Sequence, residues 1–107
     1  MRSYDGLRRR AEFASLRRRG RLVSRPTMLV YRAPLPLEMR VHAGITVDTR
    51  VGNAVVRNRV RRRIASALHD LLLDRRSERL LVVARPSAAQ ADFHALRSDL
   101  RSALEAG

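Results

Sequence analysis

The sequence predicts an α+β protein, a single two-layer sandwich of helices on a sheet, and three observations support this. Apolar residues recur at helical spacing after position 54 and again after position 93. Apolar runs rich in β-formers occupy 27–33, 41–47 and 80–84. A length of 107 residues is typical of one domain, so one domain is predicted over residues 1–107. The elements follow the order helix, strands, helix, strand, helix.

The N-terminal part of the chain is predicted to form the first helix and two strands. Residues 5–20 carry the features of a helix that ends at a glycine, and 21–24 form a short lead strand. In the strand at 27–33, Leu29 and Tyr31 share one face because side chains alternate along a strand.

A third strand follows a connection at 34–39 that is marked by two prolines. The strand at 41–47 directs its apolar residues to one side. Gly44 lies on the opposite face, and a glycine at such a position predicts close approach by another backbone.

The C-terminal part alternates helix, strand and helix. The long helix begins near Ala54, and Asn53 is its predicted N-cap. The apolar stripe of this helix comprises Val56, Val60, Ile64, Leu68 and Leu71/Leu72. After a polar loop at 74–78, the continuous apolar run 80–84 predicts a central strand that is buried on both faces. The stripe of the last helix comprises Phe93, Leu96, Leu100 and Leu104.

The charge of the chain is its most unusual property. There are 23 basic and 10 acidic residues, which gives a net charge of +13, and every basic residue is an arginine. Such a charge predicts a polyanionic partner, either nucleic acid or an anionic membrane surface. An amphipathic membrane-surface segment requires bulky aromatics on its apolar face, and aromatics make up only 4% of this chain. Nucleic acid is therefore favoured.

Several function classes are excluded by composition. The absence of cysteine excludes disulfide frameworks, thiolate metal sites and thiol catalysis. No apolar stretch approaches the ~18 residues of a membrane span, so a soluble, cytoplasmic chain without a membrane partner is expected. The three histidines are widely separated, and neither catalytic nor metal-ligating residues are predicted.

An arginine cluster opens the long helix and comprises Arg57, Arg59, Arg61, Arg62 and Arg63. On a helical wheel, Asn58, Arg59 and Arg62 point away from the apolar stripe, whereas Arg61 and Arg63 flank it. Arg57 falls within the apolar sector and is expected to emerge at the helix start. Positive charge at a helix N-terminus opposes the macrodipole, so the cluster indicates binding rather than helix stability. Asn58 allows two interpretations, a contact with RNA or a structural role.

The segment 51–64, "VGNAVVRNRVRRRI", resembles the signature of the bacterial ribonuclease P protein component family. The residues that match are Gly52, Asn53, Ala54, Val55, Arg57, Asn58 and Arg59. Flanking segments resemble the same family, namely "LRRRAEFASLRRRG", "MLVYRA" and "LLVVARPSA". Three features depart from it. Asp48, Thr49 and Arg50 replace a usual Ser-Lys-Lys turn, Arg17 stands at a commonly aromatic position, and Ala65 replaces a residue that is basic in some relatives.

The resemblance implies a fold of order αβββαβα with a left-handed βαβ crossover. It also implies the protein subunit of an endoribonuclease that removes the 5′ leader from precursor tRNA. In that family the RNA subunit carries the chemistry and Mg²⁺ acts in the holoenzyme. The implied partners are the ribonuclease P RNA subunit and precursor tRNA, without an obligate protein partner, and the free chain is expected to be monomeric. The alternative is a ribosomal-type structural RNA-binding protein with no role in turnover.

The resemblance also implies two sets of site residues. The residues expected to bind the RNA subunit are Arg50, Asn53, Arg57, Asn58, Arg59, Arg61, Arg62 and Arg63. Those expected to contact the leader are Phe13, Arg17, Leu29 and Tyr31. Aromatic side chains of the second set can stack on single-stranded bases. For Phe13, a core role that fixes the first helix remains an equal alternative, whereas Tyr31 is expected to be exposed.

Overall fold

The computed structural model describes residues 2–35 and 39–106, in which α-helices cover a five-stranded mixed sheet. The strands are β1 (Asp5–Gly6), β2 (Arg21–Ser24), β3 (Met28–Pro34), β4 (His42–Thr46) and β5 (Glu78–Ala84). The helices are α1 (Arg10–Arg19), α2 (Ala54–Leu71) and α3 (Phe93–Glu105), and a 3-10 turn (Pro86–Ala89) precedes α3. The predicted α+β class is therefore confirmed.

The sheet has the strand order β1-β4-β5-β3-β2. β5 lies at its centre, parallel to β4 and antiparallel to β3. Leu80, Leu81 and Val82 are fully buried, which confirms the prediction of a central strand covered on both faces. β4, α2 and β5 form the parallel βαβ unit that the family resemblance implies.

One face of the sheet carries the main hydrophobic core. Met28 and Val30 of β3 are fully buried there, in one cluster with the apolar stripes of α2 and α3. The α2 residues of this cluster include Val60, Ile64 and Leu68, as the helical spacing predicted. Burial of such aliphatic side chains stabilises the fold by roughly 1.5–3 kcal/mol each. The core thereby fixes the orientation of α2 and of the arginines along it.

The other face of the sheet is only partly covered, by α1. Leu16 of α1 and Leu81 of β5 are buried between the two elements. Gly44 of β4 lies beneath α1, and a Cβ atom at this position would stand 2.9 Å from Cε1 of Phe13 and 2.9 Å from Cδ1 of Leu7. The close approach predicted at Gly44 is therefore real, but side chains make it and not another backbone.

The first helix is shorter than predicted, because α1 begins at Arg10 and not at residue 5. Asp5 and Gly6 instead form β1, in which Asp5 N–H donates to Val41 O at 2.9 Å. A two-residue strand has no periodicity of its own, since it exists only through pairing with β4. The lead strand predicted at 21–24 is confirmed as β2.

The turn into α2 has the local geometry that the sequence indicated. Asn53 caps the helix, and its side chain accepts a hydrogen bond from Val56 N–H at 3.0 Å. Gly52 has a φ of 156°, and a Cβ there would lie 2.9 Å from a methyl carbon of Val56. Residue 52 must therefore be glycine for the helix to begin at this angle.

The connection predicted at 34–39 is described only in part, because residues 36–38 lie outside the described part of the chain.

Candidate nucleic-acid interface

The arginines of α2 divide into an exposed pair and a half-buried group. Arg61 and Arg62 are exposed, whereas Arg57, Arg59 and Arg63 are half-buried. The exposed pair presents guanidinium groups to a partner, whereas Arg59 and Arg63 of the half-buried group are held by carbonyl oxygens of the protein. Fixed guanidinium groups lose less side-chain entropy when they bind a phosphate.

Arg59 and Arg63 are held by the segment that precedes α3. Arg63 Nη1 donates to Ala91 O at 2.9 Å, and Arg59 Nη2 makes a longer contact to Ala89 O at 3.4 Å. Arg59 was predicted to point away from the apolar stripe of α2, and the structure shows that it is nevertheless half-buried. A helical wheel does not show the 3-10 turn and the residues directly after it, which pass beside α2 and supply these two carbonyl acceptors.

Arg57 was predicted to emerge at the helix start, and the structure leaves it only partly exposed there. It is half-buried, and its Nε is enclosed without a hydrogen-bond partner among the described residues. Arg59 Nε shares this condition. Buried donors are normally satisfied, so each of these N–H groups is a candidate for an acceptor supplied by a bound molecule.

Asn58 lies exposed between Arg57 and Arg59 and contacts a third arginine. Its Oδ1 accepts a hydrogen bond from Arg61 Nη1 at 3.1 Å, one turn further along α2. This bond fixes the direction of the Arg61 side chain. It supports the structural interpretation of Asn58, and the contact with RNA stays a prediction for this exposed residue.

The turn before α2 is electrostatically neutralised. Arg50 Nη2 contacts Asp48 Oδ2 at 2.8 Å, and Arg50 N–H donates to Asp48 Oδ1 at 3.0 Å. These hydrogen bonds from Arg50, with a smaller contribution from the charge of Arg17, lower the pKa of Asp48 below its ordinary value of 3.8. The same contact raises the pKa of Arg50. The predicted phosphate ligand Arg50 therefore has an internal counter-ion.

The four residues predicted to contact the leader lie on the α1 side of the sheet. Leu29 and Tyr31 are half-buried on β3, so Tyr31 is less exposed than the sequence predicted. Phe13 is half-buried above Gly44, which agrees with the alternative that it fixes the first helix. Arg17 is exposed on α1, and its charge acts on Asp48 in the turn before α2. Arg17 therefore adds positive charge to the α1 side of the sheet, within electrostatic range of the turn before α2.

Two further residues of this region were not predicted from the sequence. Leu22 of β2 pairs with Tyr31 across the strands and is 50% exposed, which extends the apolar surface beside the tyrosine. Arg85 is exposed after β5, where Nη1 donates to Ser24 Oγ at 3.2 Å and to Arg25 O at 3.1 Å. The alternation within 21–24 places Leu22 on the Tyr31 face, so this signal was present in the sequence.

The described residues contain no group of three or more histidine, aspartate or glutamate side chains positioned to hold a metal ion. In the same part of the chain, no helix is long and apolar enough to cross a membrane. What the site offers is cationic groups, hydrogen-bond donors and an aromatic surface on one rigid scaffold.

A cluster of oriented arginines beside a partly covered, aromatic-bearing sheet defines a small nucleic-acid-binding protein. The family model described as Ribonuclease P matches residues 1–106. The chain belongs to the ribonuclease P protein family.

Curated relatives and solved structures agree with this assignment. The chain is 39% identical to the ribonuclease P protein component of Streptomyces avermitilis over 92% of this chain and 88% of the relative. It is 40% identical to that of Streptomyces bikiniensis over the same shares. The fold is similar to the RNase P protein of Staphylococcus aureus, with a TM-score of 0.84, 23% identity, and coverage of 94% of this chain and 92% of that one. A Thermotoga maritima RNase P protein gives a TM-score of 0.82 at 20% identity, over 94% and 99% of the two chains.

Proposed function

We propose that this subunit of an endoribonuclease binds the ribonuclease P RNA through α2 and the 5′ leader of precursor tRNA through the cleft beside α1. The observation that carries the proposal is that one small fold presents two different surfaces, one on α2 and one on the face of the sheet that α1 partly covers. One is a cationic helix face, and the other is an apolar and aromatic sheet surface. A structural ribosomal-type protein requires the first surface but not the second.

The RNA-subunit surface consists of the α2 arginines together with the turn before them. Exposed Arg61 and Arg62 suit phosphate contacts, and half-buried Arg57 and Arg59 each hold a buried Nε available to an RNA acceptor. Asn58 and Asn53 add amide donors at the same end of the helix. Arg50 can contribute to the same surface if its guanidinium leaves Asp48 and binds an RNA phosphate instead. Because these contacts release counterions, binding is expected to weaken steeply with salt.

The leader surface combines stacking and charge. Tyr31 and Leu29 offer a half-exposed apolar floor, Phe13 closes one side below α1, and Arg17 stands at the rim. Stacking of a base on an aromatic ring is worth roughly 1–3 kcal/mol and does not depend on sequence. Such a surface suits leaders of varied sequence, which is what a general tRNA-processing enzyme must accept.

In this proposal the RNA subunit carries the chemistry and Mg²⁺ acts in the holoenzyme. Protein arginines that neutralise phosphates near the cleavage site lower the repulsion between RNA strands and so reduce the Mg²⁺ concentration required. The free chain is proposed to act as a monomer in the cytoplasm.

The test is cleavage of precursor tRNA by ribonuclease P RNA at low Mg²⁺, with and without this chain. The chain is expected to increase cleavage at the mature 5′ end many-fold, and the gain is expected to shrink as Mg²⁺ is raised. A ribosomal protein of equal net charge serves as the control for charge neutralisation alone. Equal stimulation by both proteins, or none by this chain, would overturn the proposal in favour of the structural alternative.

A further inference from the structure

A groove runs along α2 on the side of β4, away from the cleft beside α1. Its deeper part is a pocket of about 290 Å³ lined by Arg2, Tyr4, Ala43, Ile45, Arg61, Arg62 and Ala65. A neighbouring depression shares Arg2 and Ala65 and continues to Ser66 and His69. We call the two together the N-terminal groove. Three of the residues that line its deeper part are arginines, and none is a carboxylate.

The groove exists because β1 covers only part of the edge of β4. Leu7 N–H donates to Ala43 O at 3.2 Å, and beyond that hydrogen bond the N-terminal segment leaves β4. Ile45, two residues further along, therefore lies at the uncovered edge and forms an apolar floor with Ala43. Ala65 of α2 forms the facing wall, and its small side chain leaves the space open.

The walls of the groove are held in place by specific contacts. Ser3 N–H donates to His69 Nδ1 at 3.0 Å, and Ser3 Oγ donates to His69 O at 2.7 Å. The Arg2 guanidinium lies 5.0 Å from the centre of the Tyr4 ring, and Asn58 holds Arg61. The N-terminal segment is thus fixed to α2, and two of the three arginines are oriented before a ligand arrives.

We propose that the N-terminal groove binds one unstacked nucleotide of the ribonuclease P RNA subunit. Arg61 and Arg62 contact its flanking phosphates. The base lies on the floor of Ala43 and Ile45, against the guanidinium plane of Arg2. This inference rests on the proposed function, and it adds a nucleotide-sized pocket and Arg2 to the RNA-binding surface.

The chemistry of the groove favours a nucleotide over a simple anion. A phosphate site requires convergent donors, but it does not require an apolar floor between them. A floor of aliphatic side chains flanked by guanidinium groups suits a planar base joined to charged groups, because arginine both stacks on bases and forks onto phosphate. The arginines of the groove belong to the side of α2 that the RNA subunit is proposed to cover, so that RNA is the expected source.

The first test fills the groove without changing its charge. Ala65→Phe is expected to weaken binding of the RNA subunit roughly tenfold or more, the loss of one stacked base, with an unchanged salt dependence. Ala95→Phe, at an exposed alanine of α3, is the matched control and should bind as the parent chain does. Far-ultraviolet circular dichroism and the unfolding midpoint establish that both variants are folded.

The second test removes a charge at the groove. Arg2→Gln is expected to weaken binding of the RNA subunit. If Arg2 contacts a phosphate, the slope of log affinity against log salt should also fall by about one unit. If Arg2 only stacks on the base, the slope should stay the same. Arg101→Gln, at an exposed arginine of α3, is the control. Arg2→Gln also decides the question alone if Ala65→Phe does not fold.

A third measurement identifies the RNA. Because the chain has no cysteine, Ser66→Cys carries a single photo-crosslinker at the end of the groove. Crosslinks confined to one or two nucleotides of the RNA subunit are expected, and crosslinks to precursor tRNA alone would contradict the inference.

The variants also distinguish the groove inference from the proposed function. If the parent chain binds and stimulates the RNA subunit while Ala65→Phe and Arg2→Gln behave identically to it, the groove inference fails and the proposed function stands. If the parent chain itself does not bind, both fail.

Discussion

The Phe13 ring lies directly over Gly44, at a distance that leaves no room for a side chain on β4. A Cβ at residue 44 would stand 2.9 Å from Phe13 Cε1 and 3.1 Å from Phe13 Cζ. The absence of a side chain lets α1 settle on the sheet, where Leu16 becomes buried. Gly44 therefore determines how closely α1 packs on the face of the sheet that also carries Tyr31.

Gly44→Ala is expected to destabilise the fold by roughly 1–3 kcal/mol, because the added methyl group overlaps Phe13 and Leu7. Urea unfolding followed by circular dichroism measures the change. Gly6→Ala is the matched control, since a Cβ at residue 6 meets no atom within 4 Å. Similar losses in the two variants would mean that glycine matters for backbone freedom and not for the contact with α1.

Tyr31→Ala is expected to weaken binding of leader-bearing precursor tRNA by about 1–3 kcal/mol and to leave mature tRNA nearly unaffected. The reason is that, in the proposed function, the half-buried ring is a stacking surface for single-stranded leader bases, which mature tRNA lacks. Affinities of the holoenzyme for the two RNAs provide the measurement. Tyr31→Phe keeps the ring and should retain most of the affinity. Equal losses for both RNAs would contradict the leader assignment.

Arg62→Ala and Arg59→Ala are expected to differ in their effect on stability. Both should lower the slope of log affinity for the RNA subunit against log salt by about one unit, as expected for phosphate contacts. Arg62 is exposed, so its loss should leave the unfolding free energy unchanged. Loss of Arg59, which is half-buried against Ala89 O, should also cost about 0.5–1.5 kcal/mol of stability. An unchanged slope would show that neither side chain contacts phosphate.

The elements that the sequence predicts are those that depend on residues close together in the chain. The bounds of α2 and the Asn53 cap were predictable, because spacing and capping act within a few residues of the chain. β1 was not, since Asp5 and Gly6 become a strand only through hydrogen bonds to a segment 36 or more residues away. Pairing of that kind has no local signature.

The same distinction applies to the arginine cluster. A helical wheel ranks side chains by angle, and it placed Val60 and Ile64 in the core correctly. It could not show that Arg59 is half-buried, because the carbonyl group that accepts its hydrogen bond belongs to residue 89, in another part of the chain. The composition of a basic site is therefore visible in sequence, whereas the division into fixed and free arginines depends on the tertiary structure.

Asp48→Asn is expected to strengthen binding of the RNA subunit and to steepen its salt dependence by about one unit, because Arg50 loses its internal counter-ion. Asp74→Asn removes an exposed carboxylate with the same change in net charge and serves as the control. The pKa of Asp48 is lowered in the folded chain, so the contact is fully present above pH 3.8 and is lost only as pH falls through the lowered value. Equal gains in the two variants would indicate a general effect of charge.

Glu78→Gln is expected to destabilise the fold by about 2 kcal/mol, because Glu78 holds two arginines that cap the end of α3. Its Oε1 contacts Arg32 Nη2 at 2.7 Å, and its Oε2 lies 3.6 Å from Arg75 Nη1. Arg32 Nη1 donates to Ala106 O at 2.9 Å, and Arg75 Nη2 donates to Leu104 O at 3.0 Å. The side chain of Glu78 is only 14% exposed, so removing its charge leaves Arg32 poorly compensated.

The matched control for this network is Glu105→Gln. Its partner Arg101 lies one turn away on α3, both side chains are more than 60% exposed, and such pairs contribute at most about 0.5 kcal/mol. Chemical unfolding of the two variants measures the difference. Because the network lies at the end of α3 and not on the arginine cluster of α2, RNA affinity below the unfolding transition should be unchanged in both. A loss of RNA affinity in folded Glu78→Gln would show that the end of α3 also contributes to the interface.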